Sequence, residues 1–132
     1  MNSASGNVDP VERAHFDELA SSWWDPEGPS RPLHELNPAR LRFVAERCEL
    51  DGASLVDVGC GGGIFSEALA DAGARVTGLD VAAKALAVAR LHLHESGQEV
   101  DYLETTAEAH AQSAPASADV VTSACAVRSA SW

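Results

Sequence analysis

Four glycines within five residues, Gly59–Gly63, constrain the fold of this 132-residue chain more than any other feature. Without Cβ atoms they permit positive φ angles in a tight turn and let a ligand approach the backbone. The preceding run, Ser54–Val58, is short and apolar, as expected for a buried parallel strand. The following residues, Ile64–Ala72, carry apolar side chains at helical spacing before Gly73. The pattern predicts a strand, a glycine loop and a helix that packs on a sheet.

A carboxylate stands where the next predicted strand ends. Arg75–Leu79 is a second apolar run, and Asp80 follows it, 21 residues after Gly59. In nucleotide-binding β-α-β units an acid at this place binds the two ribose hydroxyls. A loop with only a structural role accounts poorly for both the glycines and the distal carboxylate. The sequence therefore predicts a nucleoside-binding site.

The spacing of the glycines selects among nucleoside ligands. The dinucleotide pattern Gly-x-Gly-x-x-Gly fails, because Ile64 or Ser66 replaces the third glycine in the registers that start at Gly59 and Gly61. Asp57 would repel a pyrophosphate, whereas a carboxylate suits the ammonium and sulfonium charges of S-adenosylmethionine. An NAD-dependent oxidoreductase is therefore the weaker alternative, and S-adenosylmethionine is the predicted cofactor.

Composition excludes several classes of partner. The formal net charge of −11 and the pI near 4.6 argue against nucleic acid and against attraction to anionic lipid. Three cysteines without a Cys-x-x-Cys pair predict neither a disulfide framework nor a zinc ribbon. The first residues lack the pattern of a signal peptide, and the chain has no apolar run of membrane length. A cytoplasmic protein is expected.

A first helix is predicted to begin at Pro10, with Asp9 as its cap. It ends in two adjacent tryptophans, Trp23 and Trp24. We expect one of them to pack in the interface of this helix with the rest of the protein and the other to shield the following turn, because aromatic side chains mostly supply buried area. The alternative is that they form the wall of a substrate pocket.

A second helix is predicted to begin at Pro38, capped by Asn37, after a loop over Pro29–Leu36. Arg40 then falls in its first turn, off the apolar stripe. By itself, an arginine there is expected to be solvated.

The segment after Asp80 completes four strands. We expect a helix over Val81–Ser96, a strand over Val100–Leu103, a short helix or turn over Glu104–Ala111 and a strand opening at Ala118–Thr122. His92 and His94 point in different directions around their helix and cannot share a metal ion, so both are expected to be surface or packing residues. No metal site is predicted.

The four residues Asp57, Gly59, Gly61 and Gly63 follow the order acid-x-Gly-x-Gly-x-Gly, which resembles the first motif of class I methyltransferases. More specific stretches lie on either side of this motif. They are Asn7-Val8-Asp9, Trp23-Trp24-Asp25-Pro26-Glu27-Gly28, Pro32-Leu33-His34, Leu36-Asn37-Pro38, Arg40-Leu41, Thr77-Gly78-Leu79-Asp80, Ala89-Arg90-Leu91-His92, Glu95-Ser96-Gly97 and Val100-Asp101-Tyr102. Over about residues 7–122, the chain is similar to the ubiquinone biosynthesis O-methyltransferases.

The resemblance implies a function and a set of ligand-binding residues. It implies methyl transfer from S-adenosylmethionine to a phenolic hydroxyl of a polyprenylated ubiquinone precursor. Arg40, Gly59 and Asp80 would bind the cofactor, with Arg40 on its carboxylate and Asp80 on its ribose. It also implies peripheral membrane contact, in the full-length family alone, and allows contact with other proteins of the ubiquinone pathway. The catalytic residue stays unassigned, with His34 a candidate base and loop packing its more ordinary role.

The resemblance also implies an organisation. The fold class is α/β, a Rossmann-like class I methyltransferase sheet with its first four parallel strands in the order 3-2-1-4. Residues 1–49 would form an amino-terminal helical lid, 50–122 the cofactor-binding half domain and 123–132 a divergent tail. Ala124 stands where the family has a methionine that contacts the cofactor, so that site is not carried over. The tail suggests a product truncated relative to the family, and an inactive fragment or a cofactor-binding half domain is the alternative function.

Overall fold

A computed structural model describes residues 10–113, 118–123 and 127–129 of the chain. The helices are α1 (Pro10–Trp24), α2 (Arg31–Ala45), α3 (Ile64–Asp71), α4 (Ala83–Ser96) and α5 (Ala107–Ser113). The strands are β1 (Ser54–Val58), β2 (Arg75–Asp80), β3 (Val100–Glu104), β4 (Val120–Ser123) and β5 (Val127–Ser129). Two predicted features, the Asp9 cap and Ala124, lie outside the described residues.

The strands form one sheet in the order β3-β2-β1-β4-β5. The first four are parallel, which confirms the predicted order 3-2-1-4. β5 pairs antiparallel with β4 and was not predicted, because three residues carry too little periodicity to indicate a strand. The order brings the carboxyl ends of β1 and β4 together, and ligands bind at such a point in open α/β sheets.

The main core lies between the sheet and helices α2 and α3. Leu55, Val76 and Val120 are partners across β1, β2 and β4, and they pack against Leu69 and Val44 from the helices. Leu55, Leu69 and Val44 are at most 1% exposed. A second cluster joins α4 to β3 through Leu86, Ala89, Tyr102 and the loop residue Cys60. Packing on one face of the sheet therefore fixes both sides of the glycine loop.

The predicted start of α2 was wrong. The helix begins at Arg31, and Pro38 lies inside it, so residues predicted as loop are helical. Pro32 occupies the first turn, where its missing N–H costs nothing, and Arg31 pairs with Glu35 one turn on at 2.8 Å. Arg40 consequently lies two turns further along the helix than predicted.

Among the described residues, no helix is both long and apolar enough to cross a membrane.

Candidate functional site

The glycine loop follows β1 as predicted and turns by means of positive φ angles. Gly59, Gly61 and Gly63 have φ of 72°, 56° and 90°, a region that L side chains rarely adopt. The N–H groups of Gly59 and Cys60 both donate to the carbonyl oxygen of Leu79, at 2.7 and 3.0 Å. A Cβ at Gly59 would meet no atom within 4 Å, so the space beside this backbone is open. The loop is thus held against β2 and leaves room for a ligand at its first glycine.

Asp80 ends β2 with its carboxylate turned toward the loop. Oδ2 accepts the N–H of Gly61 at 2.8 Å, and Oδ1 accepts the N–H of Ala82 at 2.9 Å. Each carboxylate oxygen has two lone pairs, so each retains a site for a further hydrogen bond. Asp80 therefore has a structural role that the sequence did not indicate, and it keeps the capacity to accept two hydroxyls.

Asp57 lies beneath the loop and is 2% exposed. Ser66 donates to its Oδ2 at 2.7 Å, and Thr122 of β4 donates to its Oδ1 at 2.9 Å. Burial raises the pKa of Asp57, while these two hydrogen bonds and the positive charge of Arg40 act against that shift. A cation placed above the loop would favour the ionised carboxylate.

Arg40 reaches the same region from α2. Its guanidinium carbon lies 4.1 Å from the centre of the Phe65 ring, in cation–π geometry. Arg40 is half-buried rather than solvated. Its charge acts on Asp57, yet the two form no ion pair within hydrogen-bonding distance in the described residues. The guanidinium is therefore available for a carboxylate ligand.

A small cleft of about 100 Å³ lies on the loop. Its lining is Trp23, Leu33, Arg40, Asp57, Gly59, Cys60, Gly61, Gly62, Ile64 and Phe65. Trp23 lies against the loop so closely that a Cβ on Gly62 would overlap the indole ring. Pockets for whole small ligands usually have several hundred Å³. The cleft is thus sized for one end of such a ligand.

The two tryptophans have different roles, one in an interface and the other in the wall of the cleft. Trp24 packs in an interface, as expected, and its Nε1–H donates to the carbonyl oxygen of Gly62 at 2.9 Å. Its ring stacks on His92 of α4, with centroids 3.4 Å apart. His92 in turn donates through Nδ1–H to Glu67 of α3 at 2.7 Å. Trp23, by contrast, lines the cleft, which is closer to the alternative of a pocket wall.

His34 is a packing residue in helix α2, not in a loop. Its Nε2–H donates to the carbonyl oxygen of Trp23 at 3.1 Å, and its ring meets Trp24 edge-on. It does not line the cleft. Within the described ranges, no group of three His, Cys, Asp or Glu side chains is arranged to hold a metal ion.

Sequence patterns do not predict the contacts among Trp24, His92 and Glu67. His92 is a packing residue, one of the two roles expected for it, and it has two specific partners. Glu67 and His92 are 25 residues apart and lie on different helices, so local patterns carry no signal of their contact.

The donor set fits S-adenosylmethionine. The cofactor has a carboxylate, an ammonium, a sulfonium and two ribose hydroxyls. Arg40 matches the carboxylate, Asp57 the positive charges and Asp80 the hydroxyls. The open space at Gly59 admits the ligand to the backbone.

Comparison with known proteins agrees with this interpretation. Over 116 residues the chain is 55% identical to a ubiquinone biosynthesis O-methyltransferase from an Azoarcus species. It is 56% identical to one from Thiobacillus denitrificans. These alignments cover 88% of the chain and 50% of each relative, so the chain spans about half the length of the curated relatives it matches.

The fold has experimental counterparts. The crystal structure of magnesium protoporphyrin IX methyltransferase from Synechocystis PCC 6803 with bound SAM superimposes with a TM-score of 0.59. The two are 21% identical, over 80% of this chain and 57% of the other. The family described as methyltransferase domain matches residues 56–130. That match covers more than half of the chain, so the protein belongs to the methyltransferase domain family.

Proposed function

We propose that this chain forms the cofactor-binding half of an S-adenosylmethionine-dependent O-methyltransferase that acts on phenolic hydroxyls of polyprenylated ubiquinone precursors. One observation carries the proposal: Arg40, Asp57 and Asp80 converge on a single glycine loop where β1 and β2 end. The identity of 55% to ubiquinone biosynthesis O-methyltransferases supports the choice of substrate class.

In the proposed complex, each end of the cofactor has its own partner. Arg40 binds the amino-acid carboxylate as a two-pronged donor, and its stacking on Phe65 keeps the guanidinium oriented. Asp80 accepts the ribose hydroxyls while it keeps the loop in place through Gly61. Gly59 lets the backbone approach the ligand, because a Cβ there would meet no atom within 4 Å, while Gly61 and Gly63 contribute to binding through the positive φ angles that shape the loop.

The cofactor supplies an activated methyl group. The contribution of this chain is alignment, because holding two reactants about 3 Å apart in the right orientation supplies roughly 7–11 kcal/mol of a barrier. Asp57 adds a buried negative charge beneath the positive end of the ligand. We assign no catalytic base among the described residues.

The substrate in this proposal is a small polyprenylated phenol or quinol, and nucleic acid is not a partner, in keeping with the net charge of −11. We further propose a cytoplasmic location for the chain. Membrane contact and contact with other proteins of the ubiquinone pathway belong to the proposal for full-length relatives.

A turnover assay tests the proposal. The purified chain is mixed with S-adenosylmethionine labelled on its methyl group and a catechol carrying a short polyprenyl tail, and the O-methyl product is measured by mass spectrometry. Arg42→Met is the matched control for Arg40→Met, since Arg42 is exposed on the same helix. Labelled product that Arg40→Met alone loses would support the proposal.

The second candidate is a half domain that binds the cofactor without turnover. This candidate is favoured by the length of the match, because the chain corresponds to only about half of each relative. Cofactor binding without labelled product would select this candidate, and no binding by a folded chain would refute both.

A further inference from the structure

Three side chains from three helices form a connected set that reaches the glycine loop through one of them, Trp24. Trp24 ends α1, Glu67 lies in α3 and His92 lies in α4. They form a chain of contacts in which Glu67 accepts from His92, His92 stacks on Trp24, and Trp24 donates to the Gly62 carbonyl oxygen. We call this set the Trp24 clamp.

The orientation of each ring in the clamp is fixed by two contacts, the stack between the rings and one hydrogen bond. The planes of Trp24 and His92 are 1° from parallel, and each ring makes one directional hydrogen bond outside the stack. The Glu67 side chain is only 7% exposed, so its hydrogen bond is protected from water. Burying a carboxylate is costly unless it is hydrogen-bonded, so the bond from His92 to Glu67 favours keeping the two side chains together.

The clamp also anchors the end of α1 at the loop, where the hydrogen bond from His34 to the carbonyl oxygen of Trp23 is a second attachment. Ala20 is the one residue that is buried among the fifteen of α1. A helix with so little buried surface gains little from packing alone. Trp23 immediately precedes Trp24, so the clamp sets where the Trp23 indole lies on Gly61 and Gly62.

Trp23 shares its cleft with Arg40, the residue proposed to bind the carboxylate of the cofactor. The cleft of about 100 Å³ takes only one end of that ligand, and Arg40 makes it the amino-acid end. Asp80, the proposed partner of the ribose, does not line this cleft.

We propose that Trp24, His92 and Glu67 are positioning residues for the amino-acid end of the cofactor. They hold α1 so that Trp23 covers that end, and they fix the carbonyl group of Gly62 beneath it. Trp24 touches the loop, and His92 and Glu67 act through Trp24 without touching the cofactor. This inference rests on the proposed function, since it presumes that the cleft binds S-adenosylmethionine.

The inference predicts a selective effect on two related ligands. S-adenosylhomocysteine has both an adenosine and an amino-acid end, whereas 5′-methylthioadenosine lacks the amino-acid end. Loss of the clamp should accelerate dissociation of S-adenosylhomocysteine about tenfold. It should change the affinity for 5′-methylthioadenosine less than twofold. A variant that merely loosened the fold would weaken both ligands alike.

The experiment measures both ligands by stopped-flow tryptophan fluorescence and calorimetry on the full chain. Trp24→Phe keeps a ring for stacking but removes the donor to Gly62. Glu67→Ala removes the acceptor for His92, and Glu67→Gln, which retains an acceptor oxygen, should restore binding. His94→Gln is the matched control, because His94 is exposed on the same helix as His92.

The outcomes separate the inference from the proposed function. A selective loss for S-adenosylhomocysteine in Trp24→Phe and Glu67→Ala, with rescue in Glu67→Gln, supports it. Equal losses for both ligands, or no loss, overturn it while the proposed function stands. If the parent chain is folded and binds neither ligand, both fail. If circular dichroism shows that the clamp variants do not fold, Trp23→Ala carries the test, since Trp23 must show the same selective loss.

Discussion

The Oδ2 atom of Asp80 accepts the backbone N–H of Gly61 at 2.8 Å, which ties the end of β2 to the glycine loop. Oδ1 of the same carboxylate accepts the N–H of Ala82. The residue proposed to bind the ribose therefore also shapes the loop.

Asp80→Asn is expected to lower the free energy of unfolding by about 1–3 kcal/mol. An asparagine can accept from one of the two N–H groups, but its own NH₂ group must then face the other donor. Urea unfolding followed by circular dichroism measures the change. Asp101→Asn, an exposed change on the neighbouring strand, should stay within about 0.5 kcal/mol of the parent. Equal stability of Asp80→Asn and the parent would contradict the structural role.

Gly62→Ala should be destabilising only while Trp23 is present. A Cβ at Gly62 overlaps the Trp23 indole, and the backbone there does not adopt a positive φ. The unfavourable contact should disappear in Trp23→Ala, so the two changes should be coupled by at least about 0.5 kcal/mol in a double-mutant cycle. Additive losses of stability would show that the indole does not lie on Gly62.

Asp57→Asn should reduce the pH dependence of stability. Burial raises the pKa of Asp57 in the folded chain above its unfolded value of about 3.9, so the folded state binds this proton more tightly. The contribution of protonated Asp57 to the free energy of unfolding is fully present below the unfolded pKa. It is lost as the pH rises through the folded pKa. Relative to the parent, the variant should therefore gain stability as pH rises from 4 to 7.

Urea unfolding of both proteins at several pH values checks this sign. The hydroxyl of Thr122, freed by the substitution, still has the carbonyl oxygen of Val56 as an acceptor at 3.5 Å, so the variant is expected to fold. A difference that stays constant, or that favours the parent as pH rises, would be inconsistent with a raised pKa of Asp57.

Cys60 should react slowly with iodoacetamide. Burial raises the pKa of Cys60 to about 12, and the negative charges of Asp57 and Asp80 add to the shift. At pH 8 the thiolate fraction is then about 10³-fold smaller than that of a free cysteine, whose pKa is about 8.5. Peptide mapping by mass spectrometry gives the rate, with the urea-unfolded chain as control. Similar rates in the two states would be evidence against a buried thiol.

Those parts of the fold that depend on local sequence patterns could be predicted from the sequence. Gly59–Gly63 between an apolar run and a helical repeat predicted β1, the loop and α3, and the strand order followed from that unit. The start of α2 was missed because Pro32 and Pro38 are both suitable at a helix start, and the choice depends on contacts of the intervening residues. His34 makes such a contact with Trp23.

The sequence indicates which residue types lie at the candidate site, but not the contacts between them. Motif and family resemblance point to Asp57, Arg40 and Asp80, whereas the hydrogen bonds of Asp57 to Ser66 and Thr122 join distant parts of the chain. The stacking of Trp24 on His92 likewise depends on how α1 and α4 meet. Local sequence patterns do not predict such contacts, because the contacts arise from tertiary packing.

The most direct test of the account is a calorimetric titration of the folded chain with S-adenosylhomocysteine, repeated with Arg40→Met and with the control Arg42→Met. The methionine keeps an apolar stem against Phe65 and removes the charge. The account predicts saturable binding that Arg40→Met weakens at least about tenfold, or about 1.4 kcal/mol, and that Arg42→Met leaves unchanged. No binding by the folded parent, or equal binding by the two variants, would contradict it.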